Sequence, residues 1–352
     1  MTDKLYPVRN KIPELSYAFT SNGIELPVLD ITHPYFVSAT DENTLKKLLP
    51  YVEKNAEKNA EKFNKIPAFI KRFLSKRSFA MAELLQIQEE NNFASGITTL
   101  MMKLGPQLIG KGKNRFWDRQ MNKGFGPLVI RMRVRDISKC QAEAIIPLLI
   151  KSPEKNLCFI NIAGGAASDS INTLILIQKE DPALLKSRKV EINVLDIDTF
   201  GPAFAERSIQ ALKAPEGRFN GLNILFRHIH YDWNNTEKLA ELLSERKEFL
   251  QICSSEGGLF EYCPDEVIIQ NLGTLYSHSN KEIIIAGTLI HDINTVDAGM
   301  IAALKISTRI KPRFLGISGL KSILDQNKWE IESIKEGNPR YLVFLLKKKI
   351  IK

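Results

Sequence analysis

The chain has 352 residues, 44% hydrophobic and 25% charged, with a formal net charge of +9. That is ordinary for a soluble globular protein and long enough for one large domain or two smaller ones. Four scattered cysteines (Cys140, Cys158, Cys253, Cys263) without CxxC or Cys/His spacing speak against a structural zinc and for a reducing compartment. No run approaches the ~20 apolar residues of a membrane span, and the opening MTDKLYPVRNK lacks the apolar stretch of a signal peptide. The expected location is the cytoplasm.

Residues 1–40 carry Pro7, Pro13, Asn22-Gly23, Pro27 and Pro34, the composition of an irregular arm or a short hairpin. Asp41 then reads as a helix cap, with Leu45, Leu48, Leu49, Val52, Ala56 and Phe63 on one face. Within that helix VEKNAEKNAEKF lines up Glu53, Glu57 and Glu61 beside Lys54, Lys58 and Lys62, a solvated face with i,i+3 and i,i+4 pairs. Two or three more helices fit between Pro67 and Leu104.

Charge is uneven along the chain. Residues 1–150 hold 23 Lys+Arg against 15 Asp+Glu, whereas the remainder is nearly balanced. The excess is densest from Lys103 to Arg135, where nine basic residues meet one acid, Asp118. Such a stretch favours an anionic partner, a carboxylate or phosphate on a small molecule or a nucleic-acid backbone, or else is a solvated basic surface. Within it, GPLVIRMRVRD (126–136) alternates Arg131, Arg133 and Arg135 with Met132 and Val134, which in a strand places three guanidinium groups on one face. Residues 138–150 return to a helical pattern, and KSPEK (151–155) reads as a boundary loop.

From Asn156 strands and helices alternate, the pattern of a parallel sheet covered on both faces. The expected strands are 157–163, 190–198, 222–232, 249–255, 282–290, 329–336 and 340–348. Helices are expected at 168–179, 201–213, 236–245, 264–276, 295–308 and 319–327. Gly-Asn-Pro (337–339) makes the last two strands an antiparallel pair.

The first of these strands runs into FINIAGGAASDS (159–170), a small-residue turn leading to a helix. Four readings compete for Gly164-Gly165. A phosphate loop needs GxxxxGK[ST], which is absent, and a dinucleotide fingerprint needs GxGxxG, whose third glycine and spacing are missing. An S-adenosylmethionine loop tolerates Gly or Ala at most of these positions and has no pyrophosphate to grip. A plain packing turn also needs small residues. Two features favour the third reading. Asp196-Ile197-Asp198 ends the second strand, where a carboxylate can accept both ribose hydroxyls. Tyr231-Asp232-Trp233 ends the third, with an acid for the adenine amine and an aromatic for its ring face.

On these motifs and the closing helix and hairpin, residues 150–350 resemble the class I S-adenosylmethionine-dependent methyltransferases. The resemblance implies an α/β fold: a Rossmann-like seven-stranded sheet with a C-terminal antiparallel hairpin; the region over 1–150, outside the resemblance, reads as mainly helical from its own pattern. It implies S-adenosyl-L-methionine as cofactor. The loop would be Asn161 to Asp169, with Ala163, Gly164 and Gly165, the ribose acid Asp196, and the adenine site Ile197, Asp232 and Trp233. Ser254 and Ser255, ending the fourth strand, complete the expected cofactor set. Many members have an acid where this chain has Asn161, and glycine at Ala163 and Ala167. A narrower resemblance, to the leucine carboxyl methyltransferase group, rests on GAASDS (165–170), on Asp196-Ile-Asp198 and on SEGGLFEY (255–262). That group's usual arginine after D-T is Ile171 here.

Methyl transfer is an in-line displacement, so the main task is to hold the acceptor in line. A carboxylate acceptor needs no base but needs cations, which Arg131, Arg133 and Arg135 could supply; a hydroxyl or amine acceptor would need a base. His291, after the fifth strand, and His230, near the end of the third, are the base candidates, while Glu256 and Tyr262, just after the fourth strand, lie where cofactor and acceptor would meet, with Glu256 also a candidate catalytic residue. No [DN]PP[YFW] follows the fourth strand, Cys263-Pro264 is the reverse of the Pro-Cys of cytosine-ring enzymes, and no metal cluster is visible. The reading is O-methylation of a small anionic acceptor, with the N-terminal region covering the pocket. The alternatives are an RNA methyltransferase or nucleic-acid binder using residues 103–135 with Phe116, Trp117 and Phe125, a catalytically silent cofactor binder, and an NAD-dependent oxidoreductase.

Overall fold

The computed structural model describes residues 5–8, 10–67, 69–70, 73, 78, 95–109, 116–295 and 312–349. It divides into two compact units, Met1–Met132 with Asn294–Lys311, and Arg133–Ile293 with Pro312–Lys352.

In the first unit, β1 (Tyr17–Phe19) and β2 (Glu25–Pro27) pair antiparallel as a short hairpin. The helices α1 (Pro34–Thr40) and α2 (Glu42–Lys65) follow. The Asp41 carboxylate accepts from the backbone N–H groups of Asn43 and Thr44 and from the Thr44 hydroxyl, satisfying donors that a helix start leaves open. Leu45, Val52 and Ala56 of the expected apolar face are buried. α3 (Gly96–Leu108), α4 (Phe116–Met121) and the first turns of α5 (Phe125–Lys151) complete the described part.

Here the structure corrects the sequence reading. GPLVIRMRVRD is the beginning of α5, not a strand, so its three arginines do not share a face; Arg131 and Arg135 lie one turn apart and Arg133 points elsewhere. Every residue from Leu128 to Val134 is buried. A helix buried all round shows no 3.6-residue periodicity, and the short Arg/apolar alternation then mimics a strand.

The second unit contains β3 (Leu157–Ile162), α6 (Ser168–Glu180), α7 (Ala183–Lys186), β4 (Lys189–Asp196), α8 (Phe200–Lys213), β5 (Asn223–His230), α9 (Glu237–Glu245), β6 (Leu250–Ser255), α10 (Leu259–Tyr262), α11 (Asp265–His278), β7 (Ile284–Ile290), α12 (Gly316–Asp325), β8 (Trp329–Lys335) and β9 (Tyr341–Lys348). The sheet order is β5-β4-β3-β6-β7-β9-β8. Neighbours from β5 to β7 are parallel, and β9 runs antiparallel to both β7 and β8. This is the Rossmann-like seven-stranded sheet with a C-terminal hairpin that the methyltransferase resemblance implies. The helix expected at 295–308 falls outside the described residues, Thr295 excepted.

β3, β6 and β7 are buried along their whole length, which is why they read as near-continuous apolar runs. Trp329 at the start of β8 is fully buried; its indole N–H donates to the Leu272 carbonyl at 3.0 Å, fastening the hairpin to α11. Among the described residues no helix is long and apolar enough to cross a membrane.

Candidate functional site

Strand order reverses between β3 and β6, and the loops after their carboxyl ends flank the crevice that open α/β sheets use for ligands. The two strands pair with Asn161 opposite Ser254, so both loops start at the same height. Leaving β3, the chain turns sharply: Ala163 (φ 55°), Gly165 (φ 49°) and Ala167 (φ 50°) all adopt the left-handed region. The Ala163 N–H donates to the Leu195 carbonyl, and the Ala167 N–H to the Gly164 carbonyl. Glycine is cheapest in that region; the two alanines hold it at about 1–2 kcal/mol each, against the pull of the surrounding loop.

Asp196 ends β4 beside this turn. Its Oδ2 accepts from the Gly165 N–H at 2.8 Å and its Oδ1 from the Asp198 N–H at 2.9 Å. Burial pushes its carboxyl above the ordinary range, while these two donors favour the anion. Ile197 (52% exposed) and Phe200 (56% exposed) stand next to it as apolar surface facing solvent. At the end of β5, Asp232 is exposed and accepts from Asn234, and Trp233 packs on the core while its carbonyl accepts from Asn271. Asp196, Ile197, Asp232 and Trp233 thus lie at the carboxyl ends of neighbouring strands, joined by the Tyr231 N–H donating to the Asp196 carbonyl and by His228 Nε2, 2.9 Å from the same oxygen.

Asn161 and Asp169 lie under the turn. Asn161 Nδ2 donates to Asp169 Oδ1 at 2.6 Å and to Ser170 Oγ, and Gln141 Nε2 donates to Asp169 Oδ2. The buried Asp169 carboxylate therefore braces the loop against α5. Asn161 Oδ1 and Ser168 Oγ are buried without a hydrogen-bond partner, and unmatched buried polar atoms beside a small-residue turn are a place for a polar ligand.

At the end of β6, Ser254 and Ser255 are buried, and Ser255 Oγ accepts from the Leu259 N–H at 2.9 Å. Glu256 is buried and accepts from Arg133 Nε at 2.7 Å. Arg133 Nη1 also donates to both oxygens of Glu261, at 3.2 and 3.3 Å, and its guanidinium stacks 4.4 Å from the Tyr341 ring. Thr288 Oγ1 accepts from the Gly257 N–H and donates to Glu261. Gly257 has φ 79°, and a Cβ there would lie 2.5 Å from Arg133 Nη2, so only glycine fits over the guanidinium. Burial alone would lower Arg133, but its two carboxylates reverse this and hold it firmly charged. Burial raises Glu261 against the attraction of Arg133. Glu261, Thr288 and Tyr341 were not singled out from sequence; the ion pairs span 123 and 128 residues, and no local pattern announces them.

The remaining candidates are placed as follows. His291 follows β7; its Nε2 lies 2.9 Å from the Asn338 carbonyl, which can only accept, so that nitrogen carries the proton. Tyr262 is half-buried, and burial pushes its hydroxyl up. Arg131 belongs to the first unit; it is buried, its Nη1 donates to the carbonyls of Met102 and Asn122, and its Nε has no partner. Burial lowers it to about 10. Of the basic stretch, Lys103, Arg131 and Arg133 are buried and Arg135 pairs with Asp136 at 2.8 Å. Phe125 is buried too, while Phe116 and Trp117 are exposed and meet edge to face. Lys111, Lys113 and Arg115 lie outside the described residues. The described part is thus not a continuous basic platform. Nor do the described residues include a group of His, Cys, Asp and Glu that could hold a metal ion.

No family model and no curated protein matches the chain. Among solved structures it is similar to an O-methyltransferase family protein from Burkholderia thailandensis, with 9% identity over 65% of this chain and 60% of that one, TM-score 0.42. It is similar to magnesium protoporphyrin IX methyltransferase from Synechocystis PCC 6803 with bound SAH, with 14% identity over 72% and 94%, TM-score 0.42. A ribosomal protein L11 methylase from Lactobacillus delbrueckii subsp. bulgaricus gives 13% identity over 62% and 79%, TM-score 0.35.

Proposed function

We propose that the chain is an S-adenosylmethionine-dependent methyltransferase that O-methylates a small anionic acceptor. The observation that carries this reading is the switch-point geometry: a left-handed small-residue turn after β3 with the Asp196 carboxylate fixed beside it by Gly165 and Asp198. The residues present fit that cofactor. Asp196 offers acceptor lone pairs for a ribose diol, Ile197 and Phe200 offer apolar surface, and Asp232 and Trp233 suit an adenine edge and face. Asn161 Oδ1 and Ser168 Oγ are the unmatched polar atoms closest to the turn in sequence. A dinucleotide fits less well, because the first turn of α6 carries the buried Asp169 carboxylate, which opposes a pyrophosphate at a helix start.

When bound, the cofactor supplies an electrophilic methyl group. The chain's share is to bind, orient and exclude water. A carboxylate acceptor is already ionised at neutral pH and needs no base. Arg131, whose charge meets no carboxylate among the described residues, is the cation proposed for an anionic acceptor. All four cysteines are free and buried, which supports a cytoplasmic setting.

The test is calorimetric titration with S-adenosylmethionine and with NAD+, repeated on Asp196→Ala. Micromolar binding of the sulfonium compound, weakened about 100-fold (~2.7 kcal/mol) in the variant, is expected. Binding of NAD+ alone would return the oxidoreductase reading.

A further inference from the structure

We propose that the N-terminal unit holds a small monocarboxylate at Arg131, and that this ligand carries a hydroxyl beside its carboxylate. The proposal deepens the role given to Arg131 above and rests on that reading only for taking the ligand as the methyl acceptor. Every residue it uses lies within the unit Met1–Met132.

Arg131 enters from α5 and is 3% exposed. Its Nη1 donates to the carbonyls of Met102, in α3, and of Asn122, just past α4, at 3.2 and 3.1 Å. Both acceptors are neutral. Burial lowers the guanidinium, and no carboxylate among the described residues acts against it. Arg133, two residues on, is as deeply buried but meets two carboxylates. A buried charge without a counter-ion is costly. A water molecule could satisfy a free donor of Arg131 but not its charge; an anion does both.

The geometry also selects the edge and the ligand. Nη1 is held by two carbonyls, so the guanidinium cannot swing, and Nε is buried without a hydrogen-bond partner. The edge left is Nε with Nη2, which grips a carboxylate through two parallel bonds. Gly105, at φ 74° where α3 kinks before Pro106, borders that edge. A Cβ there would lie 3.3 Å from Nε, so the glycine keeps open a place that a side chain would fill. Asn122 adds a second condition. Its Nδ2 donates to the Asp118 carbonyl, which fixes the amide and leaves Oδ1 buried with no partner. That oxygen belongs to the residue whose carbonyl binds Nη1. It repels a bare carboxylate and accepts from a hydroxyl. One guanidinium offsets one charge, which suits a monocarboxylate better than a phosphate group carrying closer to two at pH 7. Met102, whose carbonyl touches the guanidinium, is half-buried, so solvent comes within one residue of the site.

The experiment is a ligand-observed NMR titration of the full chain with lactate, with propionate, which lacks the hydroxyl, and with lactamide, which lacks the charge. In the native protein lactate binds about fivefold tighter than propionate and at least about tenfold tighter than lactamide. Arg131→Lys keeps the charge, loses the forked edge and weakens lactate about tenfold. Asn122→Leu brings lactate down to the level of propionate and changes propionate less than about twofold. An equal loss of both acids in Asn122→Leu would make Asn122 merely structural and overturn the hydroxyl requirement. Three results on the native protein overturn the proposal without any variant: propionate as tight as lactate, lactamide as tight as lactate, or no saturable lactate binding up to about 100 mM. S-adenosylmethionine is titrated separately. A chain that binds it but not lactate overturns this site alone, and one that binds lactate but not the sulfonium compound overturns the methyltransferase reading and leaves the site standing.

Discussion

Two carboxylates stand on either side of the switch point and are held by different means. Asp196, on the β4 side, is fixed by backbone N–H groups and sits beside exposed Ile197 and Phe200. Glu256, on the β6 side, is fixed by a buried guanidinium and sits over a second buried carboxylate. The donors to Asp196 are backbone groups, Asp198 of its own loop and Gly165 of the loop after the neighbouring strand β3, so the Asp196 side needs no side chain from elsewhere. The Glu256 side depends on Arg133 from a distant helix. The first arrangement leaves its carboxylate beside open apolar surface, and the second encloses its carboxylate in a buried ion cluster.

The comparison breaks most visibly at Arg133. Arg133→Met leaves two buried carboxylates without their cation and should cost about 3–5 kcal/mol of stability, read by denaturant unfolding. Glu261 is already pushed up by burial, and losing Arg133 pushes it further. A carboxyl whose folded value exceeds its unfolded one binds more protons when folded, so stability falls as pH rises through it. The deficit of Arg133→Met should therefore be larger at pH 8 than at pH 5; a deficit that grows on acidification would contradict the cluster.

Glu191 supplies a control away from both loops. It lies within β4, paired with Lys189 at 2.7 Å, Arg227 at 2.7 Å and Arg246 at 2.8 Å. Burial alone would raise it, but the three cations reverse this and hold it at about 2. Its contribution is present above the unfolded value of 4.5 and is lost as pH falls towards 2. Glu191→Gln should cost about 3 kcal/mol at neutral pH, flatten the acid limb of the stability profile and leave cofactor affinity unchanged. A change in affinity would mean that the sheet does not isolate the switch point.

Smaller effects sharpen the Asp196 side. Phe200→Ala removes exposed apolar surface, so stability should move by less than about 0.5 kcal/mol, while cofactor binding weakens about fivefold, roughly 1 kcal/mol of buried area. Ala167→Gly relieves a left-handed residue and should raise stability by about 0.5–1 kcal/mol, measured as a shifted unfolding midpoint. No gain would show that the loop adopts another backbone.

The sheet was readable because its inner strands are wholly buried and so appear as uninterrupted apolar runs: LCFINI and IIAGTLI need no partner to be recognised. Asp196 was readable for a related reason, since it ends such a run beside a small-residue turn. The start of α5 was not, because burial on every side erases the helical period and leaves Arg-Met-Arg-Val-Arg looking like alternation. The Arg133–Glu256–Glu261 cluster was not either. In the sequence Arg133 reads as an arginine for substrate and Glu256 as a glutamate for chemistry, nothing marks Glu261, and only folding brings the three within 2.7–3.3 Å. Charge pairing across more than a hundred residues leaves no trace in local composition.

The most direct measurement is a crystal structure of the chain with S-adenosylhomocysteine. The account predicts the nucleoside at the carboxyl ends of β3 and β4, with its ribose hydroxyls on Asp196 and its sulfur towards the loop that begins at Glu256. Density for the ligand elsewhere, or a ribose that bypasses Asp196, would contradict it.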